Sequence, residues 1–193
     1  MSVVRAFIAV DLPPDLQERL AQVIHKLKEQ MGDVPVRWVP AENMHLTLKF
    51  LGDVSMSNLD VLKDILRGEA VDREQMVISL GTLGAYPKVR RPRVIWVGME
   101  APAELDALQR SIDKQTARVG YARDNRPFAP HITLGRVSRN ATPDEVRIIG
   151  DVLNTMNIGY LGVARIGAVH LYRSDLQSDG AVYSRIFSAP FEE

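Results

Sequence analysis

Cysteine is missing from all 193 residues, which removes disulfides, thiolate nucleophiles, cysteine-ligated zinc and iron–sulfur clusters together. A cytoplasmic protein is expected from that. A surplus of either charge is missing as well. The 24 Lys and Arg match the 24 Asp and Glu, so the chain lacks the excess of cations with which proteins coat long nucleic acids, and any contact with a nucleic acid must be local. Long apolar runs are also absent. The longest are a few residues, whereas a bilayer-spanning helix needs roughly 20, so no membrane association is expected. The apolar run near the N-terminus reaches Asp11 and Pro13-Pro14 too soon for a signal-peptide core and reads as a strand. Low-complexity tracts and flexible linkers are not found either. One compact unit or two small lobes fit residues 1–193, and a monomer is expected.

The apolar residues, 46% of the chain, fall in alternating and helical patterns. Residues 3–10 predict a strand, and Pro13-Pro14 suits the first turn of a helix that runs through Leu16, Leu20, Val23, Ile24, Leu27 and Met31 to Gly32. A brief extended piece covers 36–39. Residues 45–52 alternate, with His45, Thr47 and Lys49 on one side and Leu46, Leu48 and Phe50 on the other. Ser57 or Asn58 caps a second helix through Leu59, Leu62, Ile65 and Leu66, ended by Gly68. Residues 76–86 and 94–99 predict two strands joined by a long basic connection, followed by a helix over 103–119. Residues 131–137 alternate again. Thr142 and Glu145 form a capping box for a fourth helix reaching Met156. Residues 163–172 and 181–188 read as a closing hairpin whose connection holds Ser174, Asp175, Ser178, Asp179 and Gly180. The order predicts a loosely duplicated α+β unit with one His-bearing strand in each half.

Those two strands share a pattern. His45-Leu46-Thr47-Leu48 and His131-Ile132-Thr133-Leu134 each place a His and a Thr two residues apart, hence on one face, while the apolar residues enter the core. Ser and Thr are scarce enough that two such matches among four His arise by chance on the order of 0.002, relaxed several-fold for the enrichment of Thr in strands. His25 and His170 do not match and read as structural. Imidazole titrates near neutral pH, so one His can accept a proton while the other donates one. Two Thr hydroxyls can hold nonbridging phosphate oxygens between them without a metal. Zinc needs at least three protein ligands as a rule, and no Asp/Glu cluster adjoins either strand, so neither metal nor cofactor is expected.

With these motifs the sequence resembles the two-histidine phosphoesterases, and within them the bacterial and archaeal RNA 2′,3′-cyclic phosphodiesterases (LigT-like, long called 2′-5′ RNA ligases). The resemblance spans nearly the whole chain. It is carried by Arg5-Ala6-Phe7-Ile8-Ala9-Val10, Arg37-Trp38, the run from His45 to Gly52, Pro92-Arg93-Val94-Ile95-Trp96, and the run from Phe128 to Arg136. It implies an α+β, bilobal fold, two pseudo-symmetric antiparallel-rich sheets flanked by helices around a central groove. It also implies hydrolysis of an RNA or nucleotide 2′,3′-cyclic phosphate to a 2′-phosphate, with reversible 2′-5′ ligation as a side activity. By the same resemblance His45 is the acid on the leaving oxygen and His131 the base on water, although the sequence fits the reverse equally well. A noncatalytic module that binds RNA ends or nucleotides is the alternative from another class; two His serve it less well than they serve acid–base chemistry.

Other candidates are less sharply marked. Arg136 resembles the family's phosphate-contacting arginine, yet strict alternation puts it on the face of Ile132 and Leu134, so it reaches the site only through a bulge after Gly135. Lys88, Arg90, Arg91 and Arg93 offer a local basic patch for an RNA end. Phe128, Tyr86 and Tyr172 are candidates for stacking on a base, with Phe128 favoured by its place beside the second motif. Trp38 and Trp96 are read as core.

Overall fold

The structure is a computed structural model and describes residues 3–177 and 180–192; Ser178 and Asp179 of the expected last connection lie outside the described residues. The elements run β1 (Val3–Asp11), α1 (Pro14–Met31), β2 (Val36–Trp38), β3 (His45–Ser55), α2 (Leu59–Ala70), β4 (Met76–Lys88), β5 (Arg91–Glu100), α3 (Ala103–Arg118), β6 (His131–Val137), α4 (Pro143–Thr155), β7 (Gly162–Ile166), β8 (Ala168–Leu176) and β9 (Ala181–Pro190). Two antiparallel sheets result, one ordered β3-β1-β8-β9 and the other β2-β6-β5-β4-β7. The α+β class and the two-sheet architecture are those expected.

The duplication is swapped between the sheets. The runs β1-α1-β3-α2-β4 and β5-α3-β6-α4-β8 correspond in order. In each run the first strand pairs with the motif strand, β1 with β3 and β5 with β6. The last strand crosses over: β4 pairs with β5 and β8 with β1. Each sheet therefore contains strands from both halves, and the two motif strands, although in different sheets, touch.

Local chemistry sets the helices. Pro14 starts α1, and Gly32, at φ 65°, ends it by donating its N–H to the Lys28 carbonyl. Leu16, Leu20, Val23, Ile24, Leu27 and Met31 form its buried stripe, and truncating one of these leucines to Ala costs about 2–5 kcal/mol. Thr142 and Glu145 make the expected capping box of α4. No helix among the described residues is long and apolar enough to cross a membrane.

Four expectations are corrected. Residues 163–172 do not form one strand: Gly167 separates β7, which joins β4, from β8, which joins β1 and β9. Ser174 and Asp175 belong to β8 rather than to a loop. The basic connection at 88–93 is a tight hairpin turn, with Lys88 and Arg91 paired at its end. Gly68 lies inside α2 instead of ending it, because an exposed turn tolerates a glycine at a modest cost.

Candidate active site

Both motif strands carry a bulge at the same point, and the bulge decides which residues reach the groove. In β3, Ala9 of β1 faces Thr47 and the next residue, Ile8, faces Lys49, so Leu48 is skipped. In β6, Trp96 of β5 faces Thr133 and Ile95 faces Gly135, so Leu134 is skipped. Each skip reverses the parity that follows. Arg136 therefore shares the face of His131 and Thr133, through a bulge one residue earlier than alternation required. In β3 the same reversal buries Lys49 and exposes Phe50, which is 66% accessible; the simple alternation expected for residues 45–52 stops at Leu48. Gly135 is required where it stands, since a Cβ there would come within 2.8 Å of Val36 and 2.9 Å of the Trp38 ring.

His45 and Thr47 share one face of β3, and His131 and Thr133 share one face of β6, the strand that touches it. The His131 Nδ1 lies 2.7 Å from the Ala129 carbonyl. A carbonyl only accepts, so Nδ1 carries the hydrogen and Nε2 is left for chemistry. The backbone of Asn43, likewise two residues upstream of its histidine, acts on the His45 ring and favours its protonated form. Each imidazole has a Tyr neighbour in matching register: Tyr172, paired with Phe7, lies 5.8 Å from the His45 ring, and Tyr86, paired with Val94, lies 5.1 Å from that of His131. These two candidates for base stacking are packed against the histidines instead.

Their surroundings then diverge. His45 is enclosed by Phe7, stacked at 4.8 Å, by Tyr172, and by Tyr183 edge-on at 5.1 Å. Desolvation lowers its pKa to about 4, against the opposing effects of the Asp11 carboxylate and the Asn43 hydrogen bond. Asp11, opposite His45 in the sheet, accepts from the Tyr172 hydroxyl at 2.6 Å and from Arg185 at 2.7 Å, with His170 Nε2 at 3.5 Å. Burial, and then the bond to Asp11, pushes the Tyr172 phenol up to about 12. Burial likewise lowers the pKa of His170, whose Nδ1 is 2.8 Å from the Ser188 hydroxyl. A recess of about 350 Å³ beside His45 is lined by Asp11, Gln17, Glu42, Tyr172, Tyr183 and Arg185.

His131 faces Gly98 where His45 faces Asp11. Its floor is Trp96, with ring centroids 6.2 Å apart. Trp96 thus faces the groove rather than the core, and its indole N–H has no hydrogen-bond partner among the described residues. Gly84 makes room for it, since a Cβ there would overlap the indole ring. Trp38 does pack against the core, as does half-buried Phe128, three residues before His131. Among the described residues no three His, Asp or Glu come together as metal ligands.

Behind the motifs, Lys49 is 5% exposed and Asp113 of α3 4%. The Lys49 ammonium donates to the Asp113 carboxylate and to the Ala122 carbonyl, and Asp113 also accepts from Arg123 and from the Asp124 N–H. Burial alone would raise the Asp113 carboxyl pKa; these donors outweigh it and hold it below the usual range. A buried ion pair thus ties the first motif strand to the loop that delivers Phe128 and His131.

Sequence reasoning missed Asp11, Tyr183, Arg185 and Phe50. The first three belong to strands whose pairing with β3 or β8 no local pattern reveals. Phe50 did have a signal, because aligning the two motifs places it against Arg136, five residues after each His.

Known proteins resemble this chain along most of its length. The family model described as LigT like Phosphoesterase matches twice, over residues 10–96 and 97–183. An RNA 2′,3′-cyclic phosphodiesterase of Methanothermobacter thermautotrophicus is 36% identical over 182 residues, 94% of this chain and 95% of that protein. The protein of that name from Escherichia coli is 38% identical over 138 residues, 71% and 74% of the two chains. The crystal structure of E. coli LigT complexed with 3′-AMP matches over 100% of both chains with a TM-score of 0.76 and 27% identity. With a duplicated family match, full-length relatives and two matching His-x-Thr strands, the chain belongs to the LigT-like phosphoesterase family.

Proposed function

We propose that this chain hydrolyses the 2′,3′-cyclic phosphate at the end of an RNA, or of a nucleotide, to a 2′-phosphomonoester. The observation that carries the reading is the pair of His-x-Thr faces on touching strands. The names of the relatives support the substrate class.

In this reading the phosphorus lies between the imidazoles and its nonbridging oxygens accept hydrogen bonds from Thr47 and Thr133. His131 takes a proton from water, whose oxygen bonds to phosphorus as the bond to O3′ breaks, and His45 protonates O3′. The products are a 2′-phosphate and a free 3′-hydroxyl. Arg136 offsets phosphate charge, and Phe128 and the exposed Phe50 offer faces to bases. When a 5′-hydroxyl replaces water, the same proton transfers form a 2′-5′ linkage, the reverse of its cleavage. His45 is neutral in the free protein; the phosphate anion, with Asp11, supplies the field that protonates it. Its low pKa favours a second reading, in which His45 takes the proton from water and His131 donates to O3′.

The test is incubation of a short RNA ending in a 2′,3′-cyclic phosphate, with EDTA present and the phosphate position of the product identified. A 2′-phosphate formed at an unchanged rate is expected. A 3′-phosphate, or loss of activity restored by a divalent ion, overturns the mechanism; binding without turnover makes the groove a recognition module.

A further inference from the structure

The net charge of zero conceals a segregation. Residues 34–41, 82–99 and 125–143 contain eight of the 24 Lys and Arg and none of the 24 Asp and Glu. The fold brings these three stretches together, because they supply β2, β6, β5 and the second half of β4, which are neighbours in that order. Arg37 lies opposite Arg136, Arg136 opposite Val94, and Val94 opposite Tyr86, a row on the face that bears His131 and Thr133. Lys88 and Arg91 pair at the end of the same hairpin, with Arg90 in its turn. Strand rise puts Arg91 roughly 15 Å from Trp96, the partner of Thr133.

Among the described residues nine of the sixteen Lys and Arg outside these stretches form an ion pair, against one, Arg126, of the eight within them. On the helices Lys63, Arg110 and Arg147 each have a carboxylate one turn away. Arg37, Lys88, Arg90, Arg91 and Arg136 are all exposed, and none forms an ion pair among the described residues. Their mutual repulsion is left uncompensated, which is the arrangement of a surface whose counter-charge arrives with a ligand. On the other side of the groove the recess beside His45 carries Asp11 and Glu42, and its Arg185 is already bound to Asp11. That side repels a polyanion.

We propose that this acid-free end of the five-stranded sheet holds the phosphodiester backbone of the strand leading up to the cyclic phosphate, so that the protein prefers an oligoribonucleotide end to a free cyclic nucleotide. The inference rests on the groove being the place where the cyclic phosphate reacts. A 2′,3′-cyclic phosphate closes the 3′ end of a strand, so the remaining phosphates extend in one direction only, and a one-sided track fits them.

The test reads binding apart from turnover. A fluorescent hexaribonucleotide ending in a 2′-phosphate and the corresponding nucleoside 2′-phosphate are titrated with the wild-type chain and with the K88E/R91E variant, at two salt concentrations. The hexamer should bind the wild type at least about tenfold more tightly than the mononucleotide, with log K falling by about 0.7 per log unit of salt for each phosphate held. The variant should lose that advantage and shed part of the salt slope, while its mononucleotide affinity stays unchanged. Equal affinity of the wild type for both ligands, or a hexamer that binds the variant as tightly as the wild type, overturns the proposal. A chain that binds the hexamer through these residues yet turns over no cyclic phosphate supports the track and refutes the proposed hydrolysis.

Discussion

The two half-sites repeat each other in backbone and differ in electrostatics. Both place a His and a Thr before a bulge and set a Tyr beside the imidazole. The half-site on β3 adds an aromatic enclosure and Asp11; the one on β6 has Gly98 and an open, cationic flank. The backbone frame is duplicated, whereas the surroundings that set each imidazole's proton affinity are not. The differences lie in residues that the neighbouring strands bring in.

Removing the chemistry should give the largest effects. His45→Ala and His131→Ala should each lose about 10²–10⁴-fold in turnover, and the double variant should lose little more, because the two act as one unit. Steady-state kinetics on a cyclic-phosphate RNA checks this, and additive losses would make the half-sites independent. Thr47→Ala and Thr133→Ala should each cost roughly 10–1000-fold with the melting temperature unchanged. Near-wild-type rates in both variants would return the threonines to the role of strand formers.

The link between the half-sites is open to a stability test. Lys49→Met leaves the Asp113 carboxylate buried without its ammonium and should cost about 3–5 kcal/mol in denaturant unfolding, whereas adding Asp113→Leu should recover much of it. A double variant as unstable as the single one would mean that the loop contacts of Asp113, rather than its charge pairing, carry the effect.

The smallest effect concerns pH. With its folded pKa near 4 against the 6.5 of an unperturbed imidazole, His45 binds its proton more weakly in the folded chain than in the unfolded one. Stability from this group is full above pH 6.5 and is lost as pH falls towards 4, by about 1–3 kcal/mol for a half-buried to fully desolvated ring. His170, also lowered, acts in the same sense. Unfolding midpoints at pH 7.5 and 5 should differ accordingly, and His45→Gln should shrink the difference. An unchanged slope in that variant would show that His45 is not desolvated.

Much of this was legible in the sequence because it is local. The helical stripe of α1, the capping box of α4 and the His-x-Thr spacing on strands are all read within a few residues. The swap of β4 and β8, the break at Gly167 and the partners of Asp11 are not, since they depend on pairings between residues as far apart as Asp11 and Arg185. Arg136 lies between these cases. Its residue type pointed to phosphate, its parity pointed away unless the strand bulged, and the bulge at Leu134, just before the one expected, puts it on the face of His131 and Thr133.

The division of labour between the histidines is tested most directly with a cyclic-phosphate substrate whose 3′ leaving group is far more acidic than a ribose hydroxyl. Such a group needs little protonation on departure, so it should restore most of the turnover of His45→Ala and leave His131→Ala inactive. Restoration of His131→Ala instead would contradict the assignment and make His45, the member enclosed by Phe7, Tyr172 and Tyr183, the base.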